Sequence, residues 1–75
     1  MYYSMKMNKT TKEKVEYAFG PTMEELDGVI EIDRATGEPS IVKNSAKVPM
    51  RISTLGKLIV QILKGEVPEK YYFAS

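Results

Sequence analysis

The stretch Gly28-Val-Ile-Glu-Ile-Asp33-Arg-Ala-Thr-Gly37-Glu-Pro-Ser-Ile-Val-Lys43 reads as a β-hairpin. Residues 28–33 alternate, with Ile30 and Ile32 on one face and Val29, Glu31 and Asp33 on the other. The turn that follows ends on Gly37, which supplies the positive φ needed by a type I turn with a bulge. Residues 38–43 return as a strand carrying Ile41. Pro39 has no amide donor, so it belongs at a strand start or on an outer edge.

Upstream, residues 13–19 alternate in the same way. Val15, Tyr17 and Phe19 share one face, Lys14, Glu16 and Ala18 the other, and Gly20-Pro21 ends the run. Thr22 is placed to cap a short helical turn over Met23 to Asp27, with Glu24 and Glu25 in its first turn. Residues 1–12 read as an N-terminal arm, either loose or a strand. Tyr3, Met5 and Met7 alternate with Ser4 and Lys6, but a polar Asn8–Lys12 run follows.

Downstream, residues 44–49 form a loop. Residues 52–64, Ile-Ser-Thr-Leu-Gly-Lys-Leu-Ile-Val-Gln-Ile-Leu-Lys, then carry the strongest helical periodicity, with Ser53 or Thr54 as cap and Gly65 and Pro68 as terminators. The apolar arc spans roughly 200°, twice the ~100° a surface helix needs. Gly56 lies inside that arc, where a glycine costs ~1 kcal/mol against alanine, and a close backbone approach would justify it. Residues 70–73 read as a last strand. The fold class is therefore α+β: a small antiparallel sheet of three to four strands with one amphipathic helix, about 52–64, packed across it. Residues 13–75 make a single small domain. The expected core is Val15, Tyr17, Phe19, Ile30, Ile32, Ile41, Ile52, Leu55, Leu58, Ile59, Ile62 and Leu63.

Composition narrows the function. The chain has 75 residues with no Cys, His or Trp. A chain this short buries only roughly 60% of its unfolded surface, and small folds usually add a disulfide, a metal or a second copy. Without Cys there is no disulfide or thiolate zinc site, and without His the commonest metal ligand and neutral-pH base are missing. Ser-His-Asp and Cys-His nucleophiles are excluded, so the expectation is a protein that is not an enzyme and takes no cofactor and no metal. Residues 1–7 do not form a signal segment, and the charge-free Leu58–Leu63 run is far short of the ~20 residues of a membrane span. A cytoplasmic location and no membrane partner are expected.

The net charge of +1 hides a strong unevenness. Residues 1–14 sum to +3, residues 15–40 to −6 and residues 41–75 to +4. All seven aromatics lie within 1–19 or 71–73. Pairing of the terminal strands explains that clustering better than a ligand does.

The excess of apolar helix surface gives the leading functional expectation: a binding or regulatory module that self-associates as a homo-oligomer, in the first place a dimer, since one sheet covers only half of such a helix. The contacts would come from Leu55, Gly56, Leu58, Ile59, Val60, Ile62 and Leu63, with another protein as the next partner to consider. The alternative is nucleic-acid binding through Lys6, Lys9, Lys12 and Lys14 with Tyr2, Tyr3 and Tyr71 as stacking groups. A net charge of +1 and the lack of any nucleic-acid-binding signature weigh against it. The Lys57, Gln61, Lys64 stripe reads as a solvated face. Asp27, Glu31, Asp33 and Glu38 resemble a hard-cation cluster only loosely, since strand faces are normally charged for solubility.

Overall fold

The computed structural model describes residues 1–74. Within them the chain runs β1 (Tyr2–Thr10), β2 (Lys14–Gly20), β3 (Gly28–Asp33), β4 (Pro39–Lys43), a 3₁₀ turn (Ile52–Leu55), α1 (Gly56–Leu63) and β5 (Lys70–Ala74). The five strands form one antiparallel sheet in the order β4-β3-β2-β1-β5. The α+β class holds, with five strands where the pattern suggested three or four.

The extra strand is the N-terminal segment. β1 lies between β2 and β5, pairing Met5 with Phe19 on one side and with Tyr71 on the other. Tyr3 and Met5 are buried against the helix side, while Lys6 points away and is exposed. The polar Asn8–Thr10 half stays in the ladder beyond a bulge between Met7 and Lys9, with Lys9 opposite Glu16 and Thr10 opposite Val15. The terminal strands stack their aromatics, with the Tyr3 and Phe73 rings 4.6 Å apart and nearly parallel at 13°.

The hairpin β3–β4 forms as its sequence requires. Gly37 has φ 76° and its N–H reaches the Asp33 carbonyl at 2.8 Å. Asp33 Oδ1 accepts from the Ala35 and Thr36 amides at 2.8 and 3.0 Å, closing an Asx turn. Those two amides hold the Asp33 carboxyl below the usual carboxylate range. The segment after Gly20 is a tight turn with the Glu25 amide bonded to the Thr22 carbonyl at 3.1 Å, and it does not continue into a helix. A five-residue segment followed by Gly28 is too short for propagation to outweigh helix nucleation.

The helical region is also shorter than its periodicity suggests. Ile52–Leu55 wind as 3₁₀ and only Gly56–Leu63 as α, and no side chain caps either start. Thr54 Oγ1 instead donates to the Arg51 carbonyl at 2.6 Å. Gly56 is thus the first α residue rather than a mid-helix one, and a Cβ added there meets nothing within 4 Å. No close approach explains it.

The core lies between α1 and one sheet face: Tyr3, Met5, Val15, Tyr17, Phe19, Ile30, Ile32, Val48, Met50, Leu55, Leu58 and Ile62. Ile41, Ile52 and Leu63, expected inside, are exposed at 36%, 44% and 47%, and Ile59 is half-buried. Their places are taken by Tyr3 and Met5 from β1 and by Val48 and Met50 from the loop before the helix. β1 widens the sheet face under the helix, so the helix needs only its Leu55–Leu58–Ile62 side to close the core.

Two buried tyrosines fix the helix at both ends. Tyr3 donates its hydroxyl to the Pro49 carbonyl and Tyr17 to the Pro68 carbonyl, each at 2.6 Å. These bonds span 46 and 51 residues of chain. They tie the segment entering the helical region to β1 and the segment leaving it to β2. Burial pushes the Tyr17 phenol up to about 12.

Candidate functional site

Two surfaces carry the residues that the sequence singles out. The first is the helix. Of the self-association candidates, Leu55, Leu58 and Ile62 are 0–1% exposed inside the protein's own core and offer nothing to a partner. Gly56, Val60 and Leu63 stand on the surface, with Ile59 half-buried beside them. Together with Ile52 they form an exposed ridge at i, i+4, i+8 and i+11: Ile52, Gly56, Val60 and Leu63. One flank of this ridge leans on the β3–β4 turn. An added Cβ on Gly37 would come 2.7 Å from Ile59 Cγ2 and 3.2 Å from Leu63 Cδ1. Ile41, opposite Ile30 in the ladder, lies on the same side of the sheet and extends the apolar surface to the edge strand β4.

The second surface is the sheet face opposite the helix. Alternation and register place Tyr2, Ser4 and Lys6 of β1, Ala18 and Glu16 of β2, Val29 and Glu31 of β3, and Lys70 and Tyr72 of β5 on it. Tyr2 is 74% and Tyr72 61% exposed, whereas Ser4 and Ala18 are nearly buried between their neighbours. Tyr2, Ser4, Tyr72 and Ala74, with the backbone side of Tyr3 and Phe73, line an open cleft of 290 Å³. Lys6 lies directly opposite Lys70.

The nucleic-acid candidates are therefore split. Tyr2 and Lys6 belong to this open face. Lys14, paired with Asp33, and Lys9, paired with Glu16, sit at its acidic end. Tyr3 is 1% exposed with its hydroxyl spent on Pro49, so it offers no ring face to a ligand, whereas Tyr71 is half-buried on the helix side of β5, where it borders a hollow with Thr54 and Lys57. Lys12 lies on the far side of the β1–β2 turn, in a hollow with Arg34, Ile62 and Leu63. Tyr72 was missed because Tyr71 and Tyr72 are equivalent by composition. Only the register with β1 decides which of them faces out.

Glu31, Asp33 and Glu38 border one shallow hollow, and Asp27 lies apart from them. Among the described residues no three of His, Cys, Asp and Glu are close enough to hold a metal ion. Asp27 is held below the usual carboxylate range by hydrogen bonds, first from the Ser45 side chain and then from the Ala46 amide, and it anchors the 44–49 loop. Asp33 closes the hairpin turn as described, and Glu31 and Glu38 share a shallow hollow with Lys14. The Lys47 ammonium reaches Glu25 at 2.7 Å on the surface.

No family model matches the chain, and no curated protein or solved structure is significantly similar to it. No helix of the described residues is long and apolar enough to cross a membrane.

Proposed function

We propose that this protein is a non-enzymatic, cytoplasmic binding module that works as a self-associated pair, with the helix ridge as the contact. The observation that carries the reading is the exposed row Ile52, Gly56, Val60 and Leu63 beside Ile41. Three of these side chains are about half exposed in a protein of 75 residues. Apolar surface costs roughly 25 cal/mol per Å² when left in water, and contiguous patches of this kind mark interaction sites. A glycine in the row lets two helix backbones approach closely. A second copy fits better than an unrelated partner because two-fold contacts bring the same patch to itself, and the ridge itself is uncharged, with Lys57 and Lys64 flanking it and Lys12 and Arg34 bordering its Leu63 end.

Light scattering over a hundredfold concentration range tests this. The wild type should move from 8.5 kDa toward twice that mass. Val60→Lys, at a position half exposed and outside the core, should stay at the monomer mass with unchanged circular dichroism. A wild type that scatters as a monomer throughout would overturn the reading.

A further inference from the structure

We infer that the open sheet face is a second, separate site, which binds single-stranded nucleic acid by holding one base between Tyr2 and Tyr72 and its phosphate on Lys6 and Lys70. The inference does not depend on the helix ridge, which lies on the other side of the sheet.

Four features of the face converge. First, the register sets Tyr2 opposite Ala74 and Tyr72 opposite Ser4, so the two tyrosines are diagonal neighbours on adjacent strands. Diagonal positions on one sheet face are about 7–8 Å apart. Both exposed rings therefore stand over the same pair of strands, within reach of one planar group. The cleft of 290 Å³ between them is the space such a group would enter.

Second, the floor under Tyr72 and Lys6 is low. Ser4 and Ala18 occupy the adjoining positions of this face, and beyond them the Glu25 carbonyl packs over Gly20 and walls the β2 side. Third, the charge is unbalanced where a phosphate would sit. Lys6 and Lys70 are directly opposed, and like charges facing each other across a ladder destabilise it. Neither has a carboxylate within ion-pair distance, since among the described residues the ion pair is Lys47–Glu25. Lys6 follows Ser4, and Lys70 precedes Tyr72, by two residues on the same face. That step is about 7 Å along a strand, within reach of the phosphate attached to a base in the cleft.

Fourth, the face is polarised. Glu16 opposes Glu31 one row further from the tyrosines, with Lys9 across from Glu16, so the uncompensated positive charge lies at the Lys6–Lys70 end. This polarisation reconciles the site with a net charge of +1. The contact is small, one stacked base and two lysines, so affinity in the range of roughly 1–100 µM at low salt is expected. Duplex, whose bases are already stacked, should bind much more weakly.

Fluorescence anisotropy of a labelled eight-nucleotide oligo(dT) and oligo(U), titrated with the full chain at 20 mM to 200 mM salt, tests the assignment; a labelled duplex of the same length serves as comparison. Tyr72→Ala should weaken single-strand binding by about tenfold or more, the range of one base–aromatic stack. Lys6→Gln/Lys70→Gln should lower the slope of log affinity against log salt by about 0.7, the value for one phosphate on a single strand. The lysine variant keeps the fold, because it removes an unfavourable pair, and a thermal melt at or above that of the wild type verifies this. No binding at 100 µM protein in low salt would overturn the inference. So would duplex binding equal to single-strand binding, or affinity that survives loss of Tyr72.

Discussion

Gly28→Ala is the sharpest test of how this core is packed. Gly28 is buried at the start of β3, directly opposite Phe19 of β2. Its φ is not positive, so alanine meets no backbone objection there. The objection is volume. A Cβ on Gly28 would lie 2.4, 2.6 and 2.7 Å from Cζ, Cε1 and Cε2 of the Phe19 ring. The ring is itself fully buried, lying across the glycine, and cannot swing into solvent. Over-packing of this kind costs about 1–3 kcal/mol, against a gain of about 0.4–1 kcal/mol from the stiffer unfolded chain. The net loss should be about 1–2 kcal/mol. For a domain of this size each kcal/mol moves the midpoint by ~4–8 °C, so thermal unfolding should come roughly 5–15 °C earlier. Phe19→Leu in the Gly28→Ala background should recover part of that loss relative to Phe19→Leu alone, a coupling that a double-mutant cycle measures. An unchanged or raised melting temperature for Gly28→Ala would refute the packing described here.

The same substitution at Gly56 should act in the opposite direction: with open space around the added methyl, Gly56→Ala should stabilise the monomer by about 0.5–1 kcal/mol in urea unfolding, and if the helix ridge pairs closely it should at the same time weaken self-association in light scattering. Tyr3→Phe and Tyr17→Phe each delete a hydroxyl bond to a proline carbonyl at 2.6 Å and should each cost about 1 kcal/mol in denaturant titration. The Tyr17 phenol, raised by burial from 10.0 to about 12, binds its proton more tightly in the folded than in the unfolded state. Its contribution is complete below pH 10 and is lost as pH rises toward 12, at less than the ~1.4 kcal/mol per pH unit of a full proton; urea midpoints at pH 9, 10 and 11 should fall less steeply in Tyr17→Phe. Asp33 is shifted the other way, so its contribution is present above the ordinary carboxylate range and is lost as pH falls through its lowered folded value; Asp33→Ala should abolish that part of the acid dependence, read as flatter urea midpoints between about pH 5 and pH 2, and loosen the hairpin turn.

The hairpin was legible because its signals are local. Alternation in 28–33, a glycine where φ must be positive and a proline at an edge strand's start each stand by themselves, and each is where the sequence puts it. The helix was legible in place and not in extent. A period of 3.6 shows which residues share a face, but not how much of that face its own sheet will cover, so Ile52 and Leu63 look the same as Leu55 and Ile62 until the sheet is built. β1 was only half legible. Tyr3 and Met5 alternate as a strand should, yet nothing local states that β5, some seventy residues later, will cover its other edge. The two faces of the terminal tyrosine pairs depend on that same long-range register, which is why Tyr71 looked accessible and Tyr72 went unnoticed.

The pairing of β1 with β5 has a consequence for how the chain reaches this state. Met5 and Tyr71, neighbours in the finished sheet, are made at opposite ends of the interval that a ribosome needs to produce the intervening chain. Until residues 70–74 emerge, β1 has one edge unpaired, and the Tyr17 hydroxyl waits for Pro68. Contacts so distant in sequence must meet the full loop-closure entropy before they return any stabilisation. Folding should therefore be late and close to all-or-none, and a nascent chain that still lacks residues 70–74 should expose the Tyr3–Met5 edge to whatever strand it meets first.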